Sequence, residues 1–313
     1  MHKKILAFAL TLAAAGASFA AQPLLSPAEL KAQLAQPDLR VIDIRDAKAF
    51  AAHHIPGALN APYGQWRGPA SNPGELPPLA KLTTLVQSLG LSPKTHAVVV
   101  SSGADATDFG AAARVYWTLK ALGLKELSLL NGGAKAWAEA KLPQDEAVAK
   151  VAPSSYQPQL DASLIATRDE VAQDIAKGSA VLVDARPKDF FEGETRHAAA
   201  KVPGTLEGAV NVSYGQFFDG EKSGVLQPEK VRAAASSAVA GDKEAVAFCN
   251  TGHWAATDWF ALSEVLGRKN VKLYPGSMVD WTQAPQALPV ANEPGRAKQL
   301  LIDAKLWAAR NFH

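Results

Sequence analysis

The 313-residue chain contains a single cysteine, Cys249. No internal disulfide is available to it. A thiol–disulfide exchange enzyme is excluded, because the resolving thiol is missing. Charge of one sign is lacking too: 32 Lys and Arg stand against 30 Asp and Glu, a formal net charge of +2. That balance leaves no basic footprint for nucleic acid or for a membrane surface. Long low-complexity tracts are absent, and 48% hydrophobic with 20% charged residues is an ordinary globular composition. The apolar run at residues 5–15 follows His2, Lys3 and Lys4 and precedes the small-x-small triplet Ser18-Phe19-Ala20. It is short for a membrane span, which takes about 20 residues, and it has the three parts of a secretory signal peptide. The expectation is cleavage after Ala20 and a soluble exported protein, periplasmic in a Gram-negative source, with no membrane attachment afterwards. A retained anchor helix is the alternative. No cysteine near the run can take a lipid.

Export normally brings disulfides, so a lone thiol is either a reactive group in use or a small buried hydrophobe. The rest of the chain decides between them, because it repeats itself. "VIDIRDAKAF" from Val41 matches "LVDARPKDFF" from Leu182, with Asp43 and Arg45 opposite Asp184 and Arg186. "PGALNAPY" at 56–63 matches "EGAVNVSY" at 207–214, and "AVVVS" at 97–101 matches "AVAFC" at 245–249. "LLNGGAKAW" at 129–137 matches "KLYPGSMVDW" at 272–281. The order is the same in both halves, so the chain is a tandem duplication. Ser101 stands where the second half has Cys249. The second half has about ten extra residues between its Asp-x-Arg and its Gly-Ala-x-Asn, carrying Arg196, His197 and Lys201.

Strand-length apolar runs fall at 41–44, 97–100, 127–130, 181–183, 245–248 and 271–274. Helical patterns lie between them, including 110–122 before Gly123 and 255–266 before Gly267, glycine being a common helix stop. Strands alternating with helices predict parallel α/β domains. The expected divisions are a signal peptide 1–20, a first domain 22–144, a linker 145–162, a second domain 163–292 and a helical tail 293–313. Trp66, Trp117, Trp137 and Trp281 are expected in core and interface.

In "VAFCNTGHWAATDWF", Cys249 ends a strand and the next helix starts near Trp254. Successive N–H groups of such a loop, with the helix N-terminus, form an anion cradle. A thiol there is expected to ionise more readily and to act as a nucleophile. In open α/β sheets the ligand crevice lies beyond the carboxyl ends of the strands, where Asp184 and Arg186 also sit. A cysteine phosphatase needs an arginine six positions after its nucleophile. That position is Ala255.

Across nearly all of the chain after residue 20, these motifs resemble the tandem-domain rhodanese-like sulfurtransferases. The marks are Asp-x-Arg, "IPGALN" with "EGAVN", the strand ending in Cys249, and "NGGAKAW" with "PGSMVDW". The resemblance implies two rhodanese-like domains, each a mostly parallel sheet flanked by helices, the first without a catalytic cysteine. It implies sulfur transfer through a Cys249 persulfide. The donor is a small sulfur anion such as thiosulfate or 3-mercaptopyruvate, the acceptor cyanide or a small thiol, and no metal or organic cofactor is needed. A non-catalytic persulfide carrier is the alternative.

By that resemblance Arg186 binds the anionic end of the donor; otherwise it is the internal partner of a carboxylate. Asp184 holds the strand-end turn. Asn250, Thr251, Gly252, His253 and Trp254 supply the cradle. The loop "CNTGHWA" has neither the cations that follow the cysteine in thiosulfate-preferring members nor the Gly/Ser loop of mercaptopyruvate-preferring ones. His253 either brings a proton or charge to the site or sits exposed or capping at the helix start. Arg196, His197 and Lys201 add donor contacts or are solvated. Ser101 is expected to be inert, since serine cannot carry a persulfide. Two domains complete a site within one chain, so a monomer is expected.

Overall fold

The computed structural model describes residues 21–220, 222–235, 239 and 241–311. The signal-peptide expectation concerns residues 1–20 and lies outside them. In the first repeat β1 (Leu24–Leu25), β2 (Leu39–Asp43), β3 (Leu59–Asn60), β4 (His96–Val100) and β5 (Leu127–Leu130) form one parallel sheet in the order β1-β5-β4-β2-β3. In the second, β6 (Ala180–Asp184), β7 (Val210–Asn211), β8 (Glu244–Phe248) and β9 (Val271–Leu273) form a parallel sheet in the order β7-β6-β8-β9. The last four strands of each repeat therefore pair in the same order. An isolated parallel bridge from Ile165 to Leu273 stands where the first repeat has β1.

Helices α1 (Pro27–Gln33), α2 (Ala47–Ala52), α3 (Leu79–Ser88), α4 (Ala106–Ala121) and α5 (Gly133–Glu139) belong to the first repeat. Helices α6 (Arg168–Lys177), α7 (Lys188–Phe191), α8 (Pro228–Ala235), α9 (Trp254–Phe260) and α10 (Ser277–Thr282) belong to the second, and α11 (Arg296–Asn311) follows. Two helix starts are fixed by capping boxes, Ser26 with Glu29 and Thr167 with Glu170. Where the sequence pattern predicts one helix over 255–266, the structure has α9 followed by a π-helical turn over Ala261–Val265.

Period-two alternation divides the core. Along β4, Val98 and Val100 face an outer cluster with Phe50 and Trp137, while Ala97 and Val99 face a central one. Along β8, Val246 and Phe248 join an outer cluster with Met278 and Trp281, while Ala245, Ala247 and Cys249 join the same central cluster. Strands buried on both faces read as continuous apolar runs, which is why these segments were visible in the sequence.

The central cluster spans both repeats, because α4 packs on α9. Helix α4 is buried over most of its length, with the small residues Gly110, Ala111, Ala112 and Ala113 in its first half. A Cβ on Gly110 would lie 3.1 Å from the carbonyl oxygen of His253, so glycine permits the close approach at the start of α9. Phe260 meets Phe109 and Tyr116 edge-on, at centroid distances of 5.8 and 5.2 Å. Cys249 thus belongs to the boundary between the repeats, by the same alternation that builds β8.

One shared core predicts one cooperative transition. Phe260→Ala is expected to lower stability by about 3–5 kcal/mol. Fluorescence and calorimetric unfolding midpoints should fall together. Two separated transitions would show that the repeats fold independently.

Candidate active site

Cys249 is the first residue after β8 and is 1% exposed. Its loop is shaped from outside by α10 and by the first repeat. Ser277 has φ +53°, a left-handed conformation rare for serine. Its Oγ accepts hydrogen bonds from the N–H groups of Cys249 (3.0 Å) and Gly252 (3.1 Å) and donates to the Tyr274 carbonyl (2.8 Å). The N–H groups of Met278 and Val279 bind the carbonyls of Cys249 (3.1 Å) and Asn250 (3.0 Å). Arg114 of α4 donates to the Gly252 carbonyl (3.1 Å) and the Gly74 carbonyl (2.7 Å). Three loop carbonyls are therefore held by groups around the loop. The N–H groups of Asn250, Thr251 and His253 have no acceptor among the described residues. This is the polarity an anion cradle requires. Gly252 has φ +62°, and a Cβ there would lie 2.5 Å from the Pro275 carbonyl, so only glycine fits.

His253 is neither exposed nor a side-chain cap. Its Nε2 lies 2.8 Å from the Thr107 carbonyl, which can only accept, so Nε2 carries the proton. Nδ1 then accepts from the Tyr63 hydroxyl at 2.8 Å. Burial, followed by Arg67, lowers its pKa to about 4, so the ring is neutral at pH 7 and brings no charge to the thiol. Thr107 also takes Tyr214 and Trp254: its Oγ1 is 2.9 Å from the Tyr214 hydroxyl and 3.3 Å from Trp254 Nε1. Tyr214 and Trp254 stack with centroids 4.9 Å apart. Tyr63 and Tyr214 occupy matched positions in the repeats, and each reaches across to the other repeat.

Arg186 has the internal carboxylate pairing that stood as the alternative to donor binding. The side chain is almost completely buried. Its Nε and Nη2 hold both oxygens of Asp184, at 2.6–3.1 Å, and Nη2 also donates to the Gly204 carbonyl. Only Nη1 reaches the cysteine loop, at 3.4 Å from Asn250 Oδ1. Two positions apart at a strand end, the carboxylate and guanidinium share one face and pair. Arg45 and Asp43 do the same in the first repeat, at 2.6 Å.

A cavity of about 180 Å³ opens on the thiol, lined by Thr107, His197, Cys249, Asn250, Thr251, His253 and Trp254. Of the inserted segment, only His197 lines it. Arg196 is paired with Asp303 at 2.7 Å and donates to the Ala200 carbonyl, and Lys201 is exposed. A larger hollow of about 810 Å³, between Gly64 and Ser88, contains neither cysteine nor histidine. No group of three or more His, Cys, Asp or Glu able to hold a metal ion occurs among the described residues.

The sequence alone did not point to Tyr63, Thr107, Arg114, Ser277 or Asp258. Only the repeated tyrosines and the one acid within the apolar run "AATDWFAL" carried a signal. Asp258 is fully buried, and neither carboxyl oxygen has a hydrogen-bond partner among the described residues. Burial, then Cys249 and Asp184, raise its pKa well above the usual carboxylate range. In the first repeat the matching loop contains its own anion. Asp108 Oδ2 accepts from the Gly103 N–H at 2.5 Å.

The rhodanese-like domain profile matches residues 26–140 and again 167–284. A probable 3-mercaptopyruvate sulfurtransferase of Pseudomonas aeruginosa is 32% identical over 290 residues, covering 86% of this chain and 97% of that one. The thiosulfate sulfurtransferase of Azotobacter vinelandii is 30% identical over 273 residues, covering 85% and 97%. The crystal structure of SseA from Escherichia coli, described as showing the rhodanese fold of 3-mercaptopyruvate sulfotransferases, superposes with a TM-score of 0.70. It does so over 82% of this chain and 98% of that one, at 23% identity.

Two buried titratable groups give opposite pH dependences. His253 titrates below its unfolded value, so its contribution is complete above pH about 6.5 and is lost as pH falls toward 4. At pH 5 this removes about 2 kcal/mol, and the loss should be absent from His253→Gln. Asp258 titrates above its unfolded value, so its contribution is present only at acid pH and is lost as pH rises. Asp258→Asn should therefore raise the urea midpoint at pH 7, with the gain shrinking toward pH 4.

Proposed function

The chain belongs to the rhodanese-like domain family and is a sulfurtransferase, and on that premise we propose that Cys249 accepts the transferred sulfur and carries it as a persulfide. The observation that carries this reading is the sorting of the loop. Carbonyls of Cys249, Asn250 and Gly252 are bound from outside, and N–H groups are left beside the one thiol in the cavity. A persulfide is an anion, and those dipoles are its counter-charge.

The Cys249 thiolate attacks the sulfane sulfur of the donor. A bond forms between Sγ and that sulfur, and the bond to the rest of the donor breaks with its electron pair. Thiosulfate releases sulfite. 3-Mercaptopyruvate releases pyruvate, the former thiol proton passing to carbon. A thiophilic acceptor, cyanide or a small thiol, then takes the outer sulfur, and the thiolate returns. No step needs a metal or organic cofactor. Arg186 holds the end of β6 and steadies Asn250; it is not a donor contact. The first repeat supplies Thr107 to the cavity and ties down His253, Trp254 and Gly252, so one chain makes a complete site and acts as a monomer. The basic, apolar and small-residue order of residues 2–20 supports export with cleavage after Ala20, and a periplasmic protein in a Gram-negative source.

Intact mass before and after donor tests the reading. A gain of about 32 Da, one sulfur, that is lost on adding cyanide and absent from Cys249→Ser is expected. Repeated turnover with a small donor and cyanide identifies an enzyme. A single loading that waits for a protein partner identifies a carrier. No gain with thiosulfate or 3-mercaptopyruvate, in folded protein with a free thiol, would overturn the persulfide assignment.

A further inference from the structure

No arginine or lysine lines the cavity over Cys249. Arg186 is committed to Asp184 and Gly204, and Arg114 to two carbonyls. The inserted segment contributes one lining side chain, His197. That segment is held on several sides. Arg196 pairs with Asp303 of α11, and Lys298 of α11 pairs with Glu194. Arg310 donates to the Ala198 carbonyl at 2.9 Å, and Gln283 to the Ala199 carbonyl at 2.8 Å. The His197 ring is itself oriented: Nδ1 accepts the Ala199 N–H at 3.1 Å. A neutral imidazole has one N–H, so the proton is on Nε2. Nε2 has no protein partner among the described residues, and the ring borders the thiol's cavity.

We propose that His197 is the specificity-determining residue of the site: its Nε2–H holds the outer, charged end of the donor, and as an uncharged contact it selects singly charged donors over dianions. The proposal rests on Cys249 as the sulfur acceptor. Its physical basis is a difference in scaling. The loss of hydration on entering a cavity grows with the square of the charge, whereas attraction to N–H dipoles grows only in proportion to it. A second negative charge therefore loses more than it gains unless a cation faces it. At neutral pH 3-mercaptopyruvate carries one charge, on its carboxylate, and thiosulfate carries two. Burial, with Arg67, Arg196 and Arg310 nearby, lowers the His197 pKa, consistent with an uncharged ring.

The test compares kcat/KM for 3-mercaptopyruvate and for thiosulfate, with cyanide as acceptor, in the wild type, His197→Leu, His197→Gln and His197→Arg. The wild type should favour 3-mercaptopyruvate. His197→Leu should raise KM for both donors by roughly ten-fold, the loss of one hydrogen bond to a charged group. His197→Gln, which keeps an N–H near the same place, should lose less. His197→Arg should shift the ratio of kcat/KM toward thiosulfate by roughly ten-fold, since a unit charge attracts the dianion twice as strongly. A wild type that prefers thiosulfate, or a ratio and KM unmoved in the Leu and Arg variants, would overturn the proposal. Intact mass separates the two levels. A one-sulfur gain on each variant at saturating donor shows that it is folded and that Cys249 is the acceptor, so a failure belongs to His197 alone. No gain on the wild type removes both readings together.

Discussion

The packing of α4 on α9 is the contact on which the rest of the molecule depends. It joins the inner faces of two sheets into one core, and it sets the starts of the two helices close together. The run from Gly110 to Ala113, with Ala255 and Ala256 opposite in the second repeat, provides the thin surfaces this requires. Because the alternation of β8 directs Ala245, Ala247 and Cys249 to this side, the thiol can lie nowhere but between the repeats. The first repeat therefore contributes to the site without any reactive group of its own. Thr107 holds three side chains of the second repeat, and Arg114 holds the carbonyl of Gly252.

Within each repeat the fold was legible in the sequence, because parallel strands buried on both faces appear as unbroken apolar runs. The runs read at 97–100 and 245–248 are β4 and β8 to within a residue. The strand–loop–helix setting of Cys249 followed from the same pattern. What was not legible lies across the repeats. Neither the Tyr63–His253 bond nor the Arg114–Gly252 bond has a signature in spacing, since 190 and 138 residues separate the partners. Arg186 shows a different limit. Asp-x-Arg at a strand end permits both a donor-binding guanidinium and an internal pair, and only the three-dimensional positions of Gly204 and Asp184 decide for the pair. The inserted segment was visible as an insertion, but the binding of Arg196 by Asp303 depends on where α11 lies.

Ser277 shows how local strain supports the loop. A serine at φ +53° is unfavourable on its own. Here that backbone places one hydroxyl oxygen against two loop N–H groups and the Tyr274 carbonyl. The N–H groups it absorbs are those of Cys249 and Gly252; those of Asn250, Thr251 and His253 have no acceptor among the described residues. Asp258 is the opposite case, a buried acid whose carboxyl oxygens have no hydrogen-bond partner among the described residues. It lowers stability at neutral pH, and after burial itself the nearby Cys249 and Asp184 disfavour its ionised form.

The carboxylate of Asp108 in the first repeat has a wider consequence. A loop whose amide hydrogens converge needs a negative partner, supplied either by a ligand or by the protein itself. Here the duplicate copy has closed that gap from within its own helix. A thiol placed at position 101 would thus enter a loop whose Gly103 N–H is already taken by the protein's own carboxylate.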